Sequence, residues 1–205
     1  MPWANDGGSS WNATRCTPVA RDPNQVGEPC TVEESGVSGI DDCVLGALCW
    51  YVDPETLMGE CIALCQGSEA NPTCADPCTY CVITGEGAFT PCLPECDPIA
   101  QDCSEGQACY PIVDAFACVP DSSGEAGAIG DEYEFLNVCD PGNLCVNPEL
   151  VPGCAGASCC TAFCDVDAQD ECDALLPGTS CVPWYEGEEP LGCITGTVGA
   201  CMLPE

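Results

Sequence analysis

The chain has 205 residues, of which 24 are cysteine and 34 are acidic, while Arg15 and Arg21 are its only bases and the formal net charge is −32. Without histidine or lysine it lacks a Ser-His-Asp or Cys-His pair, an imidazole metal ligand and a Schiff-base amine, so we expect no enzyme. The charge disfavours nucleic acid as a partner, and no apolar run approaches the ~20 residues that span a bilayer, so we expect no membrane insertion.

The cysteines have the density and the spacing of a disulfide framework. Zinc knuckles need paired C-x-x-C motifs, and this chain has one, Cys78 to Cys81, with no βαβ pattern around it to suggest a redox motif. The even number of cysteines fits disulfides formed in an oxidising compartment, so we expect an extracellular or cell-surface protein. Residues 1–8 lack the basic and apolar regions of a signal peptide, so the export signal is expected to be missing from this chain.

Along the chain, residues 1–29 are predicted to be a leader and amino-terminal segment, with residues 1–11 flexible. Residues 30–118 contain three tandem modules of four cysteines each. Residues 119–132 are rich in Ser, Gly and Ala and are predicted to be a linker. Residues 133–205 contain two further modules and a carboxyl-terminal tail.

The modules are defined by a recurring cysteine spacing. The first three are Cys30, Cys43, Cys49, Cys61; Cys65, Cys74, Cys81, Cys92; and Cys96, Cys103, Cys109, Cys118. Module five is Cys164, Cys172, Cys181, Cys193, whereas module four has Cys139, Cys145 and Cys154 but Tyr133 at its first position. A glycine recurs between the second and third cysteines of three modules, at Gly46, Gly106 and Gly142, which indicates a true repeat.

The last two cysteines of each module flank a predicted β-hairpin. Residues 47–52 are expected to pair with 60–64, 79–84 with 88–93, and 107–113 with 116–119, around turns rich in Gly, Pro and Asp. Helical periodicity nowhere exceeds a single turn. The predicted fold is therefore a small disulfide-rich, mainly β protein, made of tandem four-cysteine β-hairpin modules with little helix.

Within each complete module we expect the first cysteine to pair with the third and the second with the fourth. These interleaved bonds tie the long amino-terminal loop to the hairpin and constrain more of the unfolded chain than a bond across the hairpin would. Module four adds a predicted Cys139–Cys154 bond. Six cysteines then remain for three irregular bridges, namely Cys16, Cys78, Cys145, Cys159, Cys160 and Cys201. Adjacent Cys159 and Cys160 are expected to reach different partners, because a bond between them would strain its ring.

Several short sequence motifs are distinctive enough to suggest a protein family. Among them are Gly27-Glu-Pro-Cys30, Cys96-Asp-Pro-Ile-Ala-Gln-Asp-Cys103, Phe135-Leu-Asn-Val-Cys-Asp-Pro-Gly142 and Cys181-Val-Pro-Trp-Tyr-Glu186. Over residues 27–204 the chain resembles a group of acidic, cysteine-rich exported proteins of myxobacteria, many of which carry the label ribulose phosphate epimerase. The resemblance implies an exported or lipid-tethered surface protein, in which the Tyr133 position is usually cysteine and the Cys78 position usually is not. An epimerase of that name needs a TIM barrel and metal-binding histidines, so that activity is not expected here.

The densest acidic cluster lies in residues 164–173, which begin module five. Its carboxylates are Asp165, Asp167, Asp170, Glu171 and Asp173. Alternating carboxylates held in a short loop could supply oxygen ligands to Ca²⁺, although the glycine and the glutamate of an EF-hand loop are missing. The alternative is a solvated acidic turn. Calcium is the one cofactor that we consider, and otherwise none is expected.

Aromatic residues recur just after the third cysteine of a module, at Trp50, Tyr51, Tyr110, Trp184 and Tyr185. Neighbouring residues of a strand point to opposite faces, so one ring of each pair is available to face a glycan. Packing between modules is the competing use, and the small aliphatic content favours it.

We therefore expect an exported, disulfide-stabilised structural or interaction protein of the cell surface or extracellular matrix, without catalytic activity. Its partner would be a second copy of the chain or another surface protein. The alternative function is an extracellular binding module for calcium or glycan.

Overall fold

The structure is a computed structural model that describes residues 1–68, 70–112, 115–133, 135–185, 193–194 and 196–204. The chain divides into two compact units, an amino-terminal unit, Met1–Leu93, and a carboxyl-terminal unit, Pro94–Glu205. Both consist mainly of short β-strands in small sheets with little helix, which confirms the predicted fold class.

The amino-terminal unit is built from hairpins that follow the predicted runs. Its strands are β1 (Pro2–Trp3), β2 (Ala13–Thr14), β3 (Pro29–Thr31), β4 (Ala47–Trp50), β5 (Met58–Ala63), β6 (Gln66–Ser68), β7 (Asn71–Thr73), β8 (Thr79–Cys81) and β9 (Cys92–Pro94). Strand β5 pairs with both β3 and β4, and the pairs β1–β2, β6–β7 and β8–β9 form sheets of two strands. A 3₁₀ helix at Gly85–Gly87 occupies the predicted glycine turn.

The carboxyl-terminal unit has one larger sheet. Its strands are β10 (Gln107–Ile112), β11 (Ala115–Pro120), β12 (Asn143–Val146), β13 (Cys159–Asp165), β14 (Ser180–Pro183) and β15 (Val198–Met202), with the helix α1 at Cys172–Leu175. Strands β10 and β11 form a hairpin, and the other four form a sheet in the order β12-β13-β15-β14. Two 3₁₀ helices lie at Leu136–Val138 and Pro148–Leu150. Val113, predicted to end a strand, lies outside the described residues.

The repeated glycine has a conformational cause. Gly46, Gly106 and Gly142 have φ values of +87°, +79° and +89°, in the left-handed region that L side chains rarely adopt. A Cβ at any of the three would meet no heavy atom within 4 Å. Glycine is therefore favoured at these turns by the left-handed backbone conformation. Steric crowding is not the reason, because a side chain would have room there.

The disulfides follow the predicted interleaved rule in the first three modules. First-to-third bonds are Cys30–Cys49, Cys65–Cys81 and Cys96–Cys109, and second-to-fourth bonds are Cys43–Cys61, Cys74–Cys92 and Cys103–Cys118. The third and fourth cysteines face each other across the hairpin without bonding, as in Cys49↔Cys61 and Cys109↔Cys118.

Strand register corrects the predicted pairing in the last two modules. Cys172 bonds to Cys201 rather than to Cys193, and Cys139 bonds to Cys160 rather than to Cys154. In each case the true fourth cysteine is the one that faces the third across the hairpin, as in Cys181↔Cys201 and Cys145↔Cys160. Spacing gave the wrong residue because the segment between the hairpin strands is longer in these modules. The predicted Cys164–Cys181 bond is confirmed.

The cysteines outside the rule have different fates. Cys159 bonds to Cys154 while adjacent Cys160 bonds to Cys139, so the two reach different partners as expected. Cys78 and Cys193 are also disulfide-bonded. Cys16 and Cys145, however, are free thiols, so the prediction that six leftover cysteines form three bridges is wrong.

Cysteines are prominent in the buried clusters of both units. One cluster of the amino-terminal unit contains Cys30, Cys43, Cys49 and Cys61 together with Val32 and Ala47. The carboxyl-terminal core adds larger apolar side chains, including Phe116, Leu144, Phe163 and Met202. Cysteine sulfur thus supplies much of the buried material in a chain whose aliphatic content is low.

Two segments that were expected to be loose have defined contacts. Residues 1–11 contain β1, and the Arg15 guanidinium lies 4.8 Å from the centre of the Trp3 ring. Residues 119–132 lie inside the carboxyl-terminal unit, where Gly130 N–H donates to the Cys160 carbonyl at 2.8 Å. The chain therefore divides at Leu93, because modules three to five share one apolar core.

Candidate functional site

The predicted calcium ligands lie in the turn before α1 and in its first turn, where carboxylates act as local caps. Asp165 accepts a hydrogen bond from the Asp167 N–H at 2.9 Å. The two oxygens of Asp170 accept from the N–H groups of Cys172 and Cys181, each at 3.0 Å. Among the described residues, the groups of three or more candidate ligand atoms within 4.8 Å of one another consist of cysteines only. The structure does not bring the five carboxylates together, and calcium binding stays a prediction.

The aromatics of module one pack within their own unit. Trp50 contacts the rings of Trp11 and Phe89 at centroid distances of 5.1 and 4.7 Å, and Tyr51 lies 5.4 Å from Trp50. Trp11 in turn stacks on Phe89 at 4.4 Å. Trp50 and Tyr51 are half-buried, and their ring contacts agree with the predicted packing role.

The aromatics of modules three and five also serve as packing elements. Tyr110 is fully buried, and its hydroxyl donates to the Cys139 carbonyl at 2.6 Å, so its prediction as a glycan-facing ring is wrong. Burial, together with the charge of Asp121, raises the pKa of the Tyr110 phenol and keeps it a donor. Trp184 and Tyr185 are half-buried with centroids 5.9 and 6.1 Å from Phe116. Glycan binding by these rings stays a prediction.

The carboxyl-terminal unit also contains an apolar groove that the sequence did not reveal. Its volume is about 440 Å³, within the range of small-ligand sites. The 3₁₀ helix at Leu136–Val138, the 3₁₀ helix at Pro148–Leu150 and strands β12, β14 and β15 supply its walls, with Leu136, Val146, Trp184 and Met202 as the apolar surface. Asn147 and Ser158 are the polar uncharged side chains among its lining residues.

Two large side chains at one edge of the groove project into solvent. Phe135 is 68% exposed and Leu136 is 52% exposed. The segment that carries them is held in place, since the Asn137 amide donates to the Pro120 carbonyl at 2.9 Å and to the Ser122 hydroxyl at 3.0 Å. A fixed pair of exposed apolar side chains beside an apolar groove is a feature of interaction surfaces.

Two acidic residues adjoin elements that line the groove. Exposed Glu149 lies within the 3₁₀ helix Pro148–Leu150, and exposed Glu132 forms a backbone β-bridge with Cys159, the neighbour of the lining residue Ser158. Residues 94–205 contain no Lys or Arg at all. An apolar segment that carries positive charge therefore complements this surface, and an anionic one is repelled.

A free thiol forms part of the groove wall. Cys145 is the third cysteine of module four, and its first-position partner is replaced by Tyr133. The Cys145 thiol donates to the Phe135 carbonyl at 3.0 Å, and burial raises the pKa of this thiol. Tyr133 at the cysteine position was the available sequence signal for this thiol, whereas nothing in the spacing pointed to Phe135 and Leu136 as a groove edge.

Comparison with known proteins finds no family model, curated protein or solved structure that matches the chain. None of the helices in the described part is both long and apolar enough to cross a bilayer. The disulfides of both units indicate an oxidising, non-cytoplasmic location.

Proposed function

We propose that this chain is an exported interaction protein of the cell surface or extracellular matrix, without catalytic activity, and that its carboxyl-terminal unit binds a segment of another surface protein. The observation that carries the proposal is the apolar groove edged by exposed Phe135 and Leu136. Burying two such side chains on binding would contribute about 1.5–3 kcal/mol each, before the costs of association. The resemblance to exported myxobacterial proteins supports the same cellular location.

The charge of the chain favours a partner with basic residues over a second copy. Two copies would bring a formal charge of −32 against −32, and screening at physiological salt acts over about 8 Å. A segment in which Lys or Arg alternates with Leu or Phe meets both the apolar groove and the acidic groups beside it. Self-association remains an outcome that the experiment distinguishes.

Selection of random displayed peptides against the oxidised protein tests the proposal. We expect the enriched peptides to combine basic with large apolar residues, and to bind at least tenfold more weakly to the double variant Phe135→Ser, Leu136→Ser. The matched control is Leu45→Ser, since Leu45 is 82% exposed but lies in the other unit. This control should bind like the parent.

Analytical ultracentrifugation of the same variants separates the possible partners. If the parent forms a concentration-dependent dimer and the double variant does not, the groove binds a second copy of the chain rather than a basic segment. A monomer for which selection yields no peptide that discriminates between the parent and the double variant would overturn the interaction function of the groove.

A further inference from the structure

In module four the sulfur atoms of Cys139, Cys145 and Cys160 lie close together, and that of Cys145 is a free thiol. Cys139 and Cys160 form a disulfide and are both fully buried. The Cys145 Sγ lies 2.8 Å from the Cys139 Sγ, and all three sulfurs lie within 4.8 Å of one another. Cys145 is half-buried, so it is the one member of the trio that solvent reaches.

This arrangement results from the module rule. In modules one, three and five the third cysteine faces the fourth across the hairpin while bonded to the first, as in Cys109 with Cys96. In module four, Cys145 faces Cys160 in the same register, but Tyr133 occupies the first position. A thiol is thereby placed against a disulfide at a position where the other modules have a second disulfide.

We propose that Cys145 and the Cys139–Cys160 disulfide form an intramolecular thiol–disulfide exchange site. The Cys145 thiolate attacks the Cys139 sulfur, which lies 2.8 Å away. A Cys139–Cys145 bond forms as the Cys139–Cys160 bond breaks, and the electron pair passes to Cys160, which takes up the proton that Cys145 released to solvent. One thiol and one disulfide exist before and after the step, so neither an oxidant nor a reductant is consumed.

The exchange changes the surface of the groove. Cys139 directly follows the 3₁₀ helix Leu136–Val138, so the disulfide that tethers this edge of the groove moves from β13 to β12. The free thiol moves at the same time from the groove wall to the buried Cys160 position. The two isomers therefore present different chemistry at the groove, one with an accessible thiol and the other without it.

Mapping of the free thiol after incubation tests the exchange. The protein should carry Cys16→Ser, because exposed Cys16 would otherwise catalyse exchange between molecules. After incubation at pH 8.5 without reductant, acid quenching, denaturation and alkylation, we expect peptides with alkylated Cys160 and a Cys139–Cys145 bond. Their fraction should rise with time at a rate independent of protein concentration.

Two further variants keep the result interpretable. Cys145→Ser retains the Cys139–Cys160 bond and should never yield alkylated Cys160. Cys160→Ser removes the leaving sulfur and should give a Cys139–Cys145 bond after oxidative folding, with no thiol at either position. Retention of Cys139–Cys160 with alkylation confined to Cys145 after a day at pH 8.5 would overturn the proposal, as would a Cys160→Ser variant in which Cys139 and Cys145 both remain thiols.

Discussion

Replacement of Tyr133 by cysteine should complete module four. The introduced thiol would occupy the first position of the module, and Cys145 at the third position is free to bond with it. The first-to-third bonds of the other modules span 19, 16, 13 and 17 residues. The new bond would span twelve (145 − 133), close to the shortest of these.

The expected gain in stability follows from the length of that loop. On the chain-entropy model, closing a loop of this size contributes about 3 kcal/mol. The Cys139–Cys160 bond already crosses the loop and restricts the unfolded chain, and the substitution removes a half-buried ring. We therefore expect a net gain of about 1–2 kcal/mol, which corresponds to roughly 2–8 °C in melting temperature for a chain of this size.

Calorimetry and thiol counting measure the two consequences together. Tyr133→Cys should lose the reactive Cys145 thiol and melt at a higher temperature than Tyr133→Ser, which loses the same ring without gaining sulfur. Tyr133→Cys combined with Cys145→Ser should melt like Tyr133→Ser. If Tyr133→Cys has two alkylatable thiols in module four and melts like the serine variant, the assignment of Tyr133 to the first cysteine position is refuted.

Four other perturbations have definite expected results. Reduction should unfold the chain without denaturant, because several bridges at about 3 kcal/mol each exceed a net stability of about 5–15 kcal/mol; a cooperative melt of the reduced protein would contradict this. Gly106→Ala should cost about 1 kcal/mol in chemical denaturation, since φ is +79° there, and an unchanged midpoint would show that the turn relaxes. Burial raises the pKa of Asp41, so the folded state holds the proton at higher pH than the unfolded state does, and this residue's contribution to stability falls as pH rises through that window. The melting temperature of the parent minus that of Asp41→Asn should therefore decrease with rising pH from 3.5 upward, and an increase would reverse the assigned sign. A calcium site in residues 165–173 requires a melting shift with millimolar calcium that Asp165→Asn removes, and the absence of a shift would eliminate that alternative.

Much of the local structure could be predicted because hairpins and turns are determined by residues that are neighbours in the sequence. The runs around Cys49 and Cys61 have the composition of strands, and the glycine before each hairpin reflects a backbone angle that few other residues adopt. Interleaved pairing could also be predicted, because it concerns cysteines that are close in the chain.

The features that depend on distant pairing could not be obtained from spacing. Cys201 replaces Cys193 because strand β15 brings it opposite Cys181, and no local signal distinguishes the two cysteines. Phe116 and Phe163, whose rings meet edge to face at 5.5 Å, belong to different modules, and their contact explains why residues 119–132 do not separate two units. The groove depends on the same long-range contacts.

Disulfide mapping of the unreduced protein tests the module rule most directly. Only two arginines are present, so digestion should use pepsin or an acidic-residue protease at low pH, where disulfides do not exchange. The rule predicts Cys30–Cys49, Cys43–Cys61 and Cys164–Cys181 bonds, and the structure adds Cys16 and Cys145 as the thiols that should be alkylated. A bond across a hairpin, such as Cys49–Cys61 or Cys109–Cys118, would contradict it.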